Sequence, residues 1–88
     1  MSHHVATLRF ILGQGQSIGP KRLQELWIIA TQSPDVAVER NALGHNQERP
    51  VYTLFAPIST VDVSKIEHKL RELLGNAGLR ATFVPVIR

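Results

Sequence analysis

Residues 7–20 read TLRFILGQGQSIGP, and the parsing of this stretch decides how the rest of the chain is laid out. Leu8, Phe10 and Leu12 alternate with Thr7, Arg9 and Ile11, the period-two pattern of a strand with one buried face. Gly13, Gly15 and Gly19 then interrupt it, and Pro20 suits the first turn of a helix, where its missing N–H is not needed. The stretch predicts a strand, a glycine-rich loop and a helix start, and makes the loop the natural place for a ligand.

Working outward, Leu23, Leu26, Trp27 and Ala30 keep the i, i+3, i+4, i+7 spacing of an amphipathic helix over about 19–32, with Ile28 and Ile29 widening the apolar stripe. Pro34 ends it, because the residue before a proline is pushed out of the helical region. Val36 and Val38 alternate with Ala37 and Glu39, a second strand running towards Ala42. Residues 43–50 are polar and rich in turn formers, which predicts an exposed hairpin loop. The run 51–56, VYTLFA, is the most β-prone of the chain and is expected in the sheet centre, closed by Pro57.

Val63, Ile66, Leu70, Leu73 and Leu74 then set a second helix, with Ser59, Thr60 or Asp62 as its cap and Gly75-Asn76 as its stop. Residues 79–87 read as a last strand, and Pro85 confines it to a sheet edge because it cannot donate to a ladder. The order β-α-β-β-α-β, with two right-handed crossovers and one hairpin, puts strands one and three in the middle. That is the ferredoxin-like α+β arrangement, a four-stranded antiparallel sheet with two helices on one face.

The 88 residues leave room for one domain, 1–88, in which residues 1–4 read as a flexible or tag-like start. Apolar residues make up 43% and charged residues 19%, an ordinary globular balance. There is no cysteine, so disulfides, thiol catalysis and thiolate zinc sites are excluded, and a reducing compartment fits. The net charge is only +3 with the basic residues scattered, which disfavours nucleic acid as a partner. No apolar run approaches the ~20 residues that cross a bilayer, and no signal-peptide pattern opens the chain. The expected location is the cytoplasm, without membrane contact.

With Leu8, Phe10 and Leu12 turned to the helices, Thr7, Arg9 and Ile11 point away. They are joined by either Thr53 and Phe55 or Tyr52 and Leu54, and by either Ala81, Phe83 and Pro85 or Thr82, Val84 and Val86. Every combination is more apolar than a monomer leaves bare, which predicts a homodimer or a protein partner on that face. The expected interface residues are Arg9, Ile11, Val84 and Val86.

Two families resemble parts of this pattern. The element order, the glycine loop after the first strand and the closing LGNAGLRATF of residues 74–83 resemble ACT-type regulatory domains, closest to those attached to phosphoserine phosphatases. The resemblance implies a regulatory module whose copies pair, with an amino acid or other small ligand at Gly13, Gln14, Gly15, Gln16 and Ser17. The family's acidic residue and Pro-Gly are not reproduced in this loop. Residues 13–21 are also similar to the acylphosphatase phosphate loop, with Gly13, Gln16 and Ile18 in matching places and Asn41 in a segment like that of the catalytic asparagine. That likeness implies an alternative, enzymatic reading in which Lys21 or Arg22 holds a phosphate and Asn41 orients water. Ser17, Pro20 and Lys21 depart from the family's glycine, aromatic and arginine.

A third alternative, RNA on the open sheet as in the RNA-recognition motif, would use Phe10 with Tyr52 or Phe55, but the strand-three consensus is not met. Trp27 reads as core, and His45 and His68 as surface histidines without partners at metal-ligand spacing. No cofactor or metal is implied, and no nucleophile-base pair is identified.

Overall fold

The computed structural model describes residues 4–41, 50–57, 62–84 and 86. Its elements are β1 (His4–Leu12), α1 (Pro20–Thr31), β2 (Ala37–Asn41), β3 (Val51–Pro57), α2 (Val63–Asn76) and β4 (Ala81–Val84). The strands form one antiparallel sheet in the order β2-β3-β1-β4, so the fold is ferredoxin-like. Residues 42–49, with His45 and all of the expected 43–50 loop except the buried Pro50, lie outside the described residues, as do 58–61 and Pro85.

Strand pairing sorts the side chains into two faces. Leu8 opposite Leu54 and Phe10 opposite Tyr52 face the helices and form one core with Leu23, Leu26 and Trp27 of α1 and Leu70 and Leu74 of α2. At its centre the rings of Phe10 and Tyr52 stack with centroids 5.1 Å apart. Trp27 is fully buried, and its indole N–H donates to the Phe55 carbonyl at 2.8 Å. A buried indole needs such an acceptor.

Three local features differ from the sequence expectation. The register shifts between Ala6 and Leu8, so Thr7 occupies a β-bulge; it is 4% exposed and its hydroxyl donates to the Val5 carbonyl at 3.1 Å. A bulge adds one residue and thereby resets the alternation. Ala6, opposite Phe55, therefore takes the outward place that simple alternation assigns to Thr7.

The second feature lies at the end of α2, which stops at Asn76 as the expected Gly75-Asn76 boundary has it, but with Gly75 still inside the helix. The chain leaves the helix at Gly78 (φ +79°), whose N–H donates to the Gly75 carbonyl while the Leu79 N–H reaches the Leu74 carbonyl. This paired closure adds donors to the last carbonyls of α2, which also receive the Ala77 N–H, and its left-handed residue is Gly78 rather than Gly75. Third, β1 starts already at His4, whose Nε2 lies 3.0 Å from Asp35 Oδ1. At the other end of α2, Asp62 is the cap, its carboxylate accepting from the Lys65 N–H at 3.1 Å.

Replacing Trp27 removes both a large buried volume and the donor to Phe55. Trp27→Ala should lower unfolding free energy by about 3–5 kcal/mol, read from urea or thermal unfolding. A loss below about 1 kcal/mol would mean that the indole does not hold α1 on the sheet.

Candidate functional site: the open sheet face and the first loop

The first loop is built from its own hydrogen bonds. The Gly13 N–H donates to the Arg80 carbonyl at 2.8 Å, and the Gln16 N–H donates to the Gly13 carbonyl at 2.9 Å. The Gln16 side chain then clamps the loop to the approach to β4: Nε2 donates to the Gly78 carbonyl at 3.0 Å and Oε1 accepts from the Arg80 N–H at 2.7 Å. A Cβ on Gly13 would sit 3.1 Å from that Oε1, so the clamp fits glycine there. The Ile18 N–H donates to the Tyr52 hydroxyl at 3.3 Å, and Ile18 itself is buried.

Of the five loop residues expected to bind a ligand, Gly13 and Gln16 therefore have backbone or side-chain groups engaged inside the protein. Gln14, Gly15 and Ser17 are exposed, with Gly15 in the left-handed region at φ +80°. Lys21 and Arg22 are exposed in the first turn of α1, where Arg22 approaches Glu25 at 3.8 Å. Beside the loop, a crevice of about 190 Å³ opens between α1 and β2, lined by Ile18, Pro20, Leu23, Val38, Arg40 and Tyr52, with a contribution from Glu39.

Asn41 belongs to a different surface. Its Nδ2 donates to Glu39 Oε1 at 2.9 Å, and it lines a recess of about 210 Å³ on the sheet face that the helices leave open. Lys21 and Arg22 start the helix packed on the opposite face, so the fold does not bring them together with Asn41.

The open face is ordered by the strand register into cross-sheet rows. One row is Ala37, Phe55 and Ala6; the next is Glu39, Thr53, Arg9 and Val84; the third is Asn41, Val51, Ile11 and Thr82. Arg9, Ile11 and Val84 of the expected interface are thus on one surface, with Thr53 and Phe55 as the set from β3. Val86 is half-buried and follows the end of β4. Phe55 is the one described aromatic on this side, since Phe10 and Tyr52 stack in the core and Phe83 lies against Phe10 and under the Arg71 guanidinium.

Arg9 is the exceptional member. Its Nε is buried and has no hydrogen-bond acceptor among the described residues. Sequence reading placed Arg9 on this face but missed Glu39 as its neighbour two strands away. The only available signal was the register of β1 and β2 against β3, which the bulge at Thr7 shifts.

A wider cleft of about 550 Å³ lies between the end of α1 and the start of α2, with Ile29, Ile66, Lys65 and Lys69 in its walls. None of the site residues expected from sequence lines it. Among the described residues no cluster of metal ligands is present, and no helix is long and apolar enough to cross a membrane.

No family model matches the chain, and no curated protein matches it. Among solved structures, the chain is similar to a C-terminal segment of the alpha subunit of aIF2 from Pyrococcus abyssi, with 18% identity and a TM-score of 0.47. That match covers 99% of this chain and 52% of the other, so this chain spans about half the length of its structural neighbour. The chain is a small α+β module by its own topology.

The clamp makes a direct prediction. Gln16→Ala should destabilise the protein by about 1–2 kcal/mol, because it strips a donor from Gly78 and an acceptor from Arg80. Amide exchange should quicken most at Arg80. Unchanged exchange at Arg80 would show that the loop is held without the Gln16 side chain.

Proposed function

We propose that this chain is a protein-interaction module that self-associates through the open face of its sheet. The observation that carries this reading is the face itself: Ala6, Ile11, Val51, Phe55 and Val84 are half-buried around Arg9, which makes no ion pair among the described residues. Apolar surface of this kind is stabilised by a second protein surface that excludes water. The ACT-type likeness read from the sequence points the same way, since copies in that family pair. It also supports a regulatory role, in which pairing is what a ligand would alter.

A small anionic or amino-acid ligand near the first loop is the second reading. It is supported by the crevice beside the loop, where Arg40 provides a cation next to the apolar side chains of Ile18, Leu23 and Val38. With the N–H groups of Gly13, Gln16 and Ile18 already donated inside the protein, recognition there would rest on side chains rather than on a backbone cradle.

Two measurements test these readings. Sedimentation should show a dimer at micromolar concentration, and Phe55→Glu should yield a folded monomer by circular dichroism; a wild-type protein that stays monomeric at much higher concentration refutes self-association. Titration with amino acids and inorganic phosphate, followed by amide NMR, should shift residues 13–22 and Arg40 before any others. Shifts confined to the open face would remove the ligand from the loop.

A further inference from the structure

We infer that the partner on the open face is a second copy of this chain, placed by a two-fold axis along β3 at Thr53 so that Arg9 of each copy meets Glu39 of the other. This inference rests on self-association through the sheet and adds its geometry. Arg9 on β1 and Glu39 on β2 both pair with Thr53 on β3, one on each side. They are opposite charges equidistant from the middle strand, about 5 Å away on either side.

A two-fold axis lying along that strand exchanges the two sides while preserving the rows. It therefore carries Arg9 onto Glu39 of the second copy and Glu39 onto Arg9, forming two equivalent pairs from one self-complementary surface. On the axis, Thr53, Val51 and Phe55 each face their own counterparts. This suits the two apolar side chains, while Thr53 is already buried within its own chain. Sheet-on-sheet packing tilts the strands by about 30° without separating groups this close to the axis.

The charges are available for such an exchange. Arg9 makes no salt bridge among the described residues; its Nε is buried, so it is the terminal guanidinium nitrogens that a second copy would meet. Glu39 is exposed and receives only the Asn41 amide on Oε1, which leaves Oε2 open among the described residues. A pair at the start of β1 behaves differently: His4 and Asp35, which precedes β2, already meet within one chain at 3.0 Å. Arg9 and Glu39 do not meet in this way. Edge strand β4 lies beyond the overlap, so Val84 borders the interface rather than filling it.

The two-fold arrangement predicts a result that no single-chain contact can give. Arg9→Glu leaves two carboxylates facing two carboxylates, and Glu39→Arg leaves cations facing cations, so each variant should dimerise on the order of 100-fold more weakly than wild type. Mixed in equal amounts, the two should form a heterodimer, visible by native mass spectrometry, because each charge then meets its opposite. The double variant Arg9→Glu, Glu39→Arg should dimerise by itself. Circular dichroism establishes that each variant is folded.

Single variants that dimerise like wild type would overturn the crossing while leaving self-association intact, and so would a folded mixture that stays monomeric. A monomeric wild type removes both. Glu39→Gln, a conservative change on an exposed edge strand, keeps the inference falsifiable if a charge reversal fails to fold. It should weaken the dimer about tenfold, and an unchanged dissociation constant would overturn the pairing.

Discussion

Tyr52 is the residue on which the arrangement of this protein depends. Its ring is buried and stacked on Phe10 between the two central strands, and its hydroxyl accepts the N–H of Ile18 in the loop that precedes α1. One side chain thus ties the middle of the sheet to the start of the first helix. The stacked pair supplies apolar burial, while the hydroxyl gives an otherwise buried backbone donor its partner. Without that bond the loop could not bury Ile18 at no polar cost.

The loop shows how the same residue types can serve structure instead of recognition. A glycine-rich turn before a helix offers backbone donors that suit an anion. Here the donors of Gly13, Gln16 and Ile18 point inward, and the Gln16 amide closes a bridge to residues 78 and 80. The cations of the region, Lys21, Arg22 and Arg40, stay on the surface. Rigidity at this corner holds the ends of β1 and β4 together, so the two strands present Arg9, Val84, Ile11 and Thr82 as fixed neighbours on the far face.

The two faces of the sheet divide the physical work. On the helix side, side chains from four strands and two helices form a single apolar core whose polar tips all find acceptors or donors. On the open side, one row carries the charges of Glu39 and Arg9 between two rows that carry none, and Arg9 Nε has no acceptor among the described residues. This side is unlike an RNA-binding sheet, because base stacking requires outward aromatics on the two central strands, and only Phe55 among the described residues qualifies.

Element order, helix faces and the buried Trp27 were legible in the sequence because each depends on local spacing: period two for strands, 3.6 for helices, and prolines at the boundaries. The identity of the outward residues Arg9 and Ile11 was legible for the same reason. The bulge at Thr7 was not, because an extra residue in one strand is defined only against the partner strand. Gly75 and Gly78 are both compatible with a helix end, and only the hydrogen bonds to Leu74 and Gly75 select Gly78. Tertiary structure alone set Arg9 and Glu39 on either side of Thr53, since they are distant in sequence and brought onto one row by pairing each of their strands with β3.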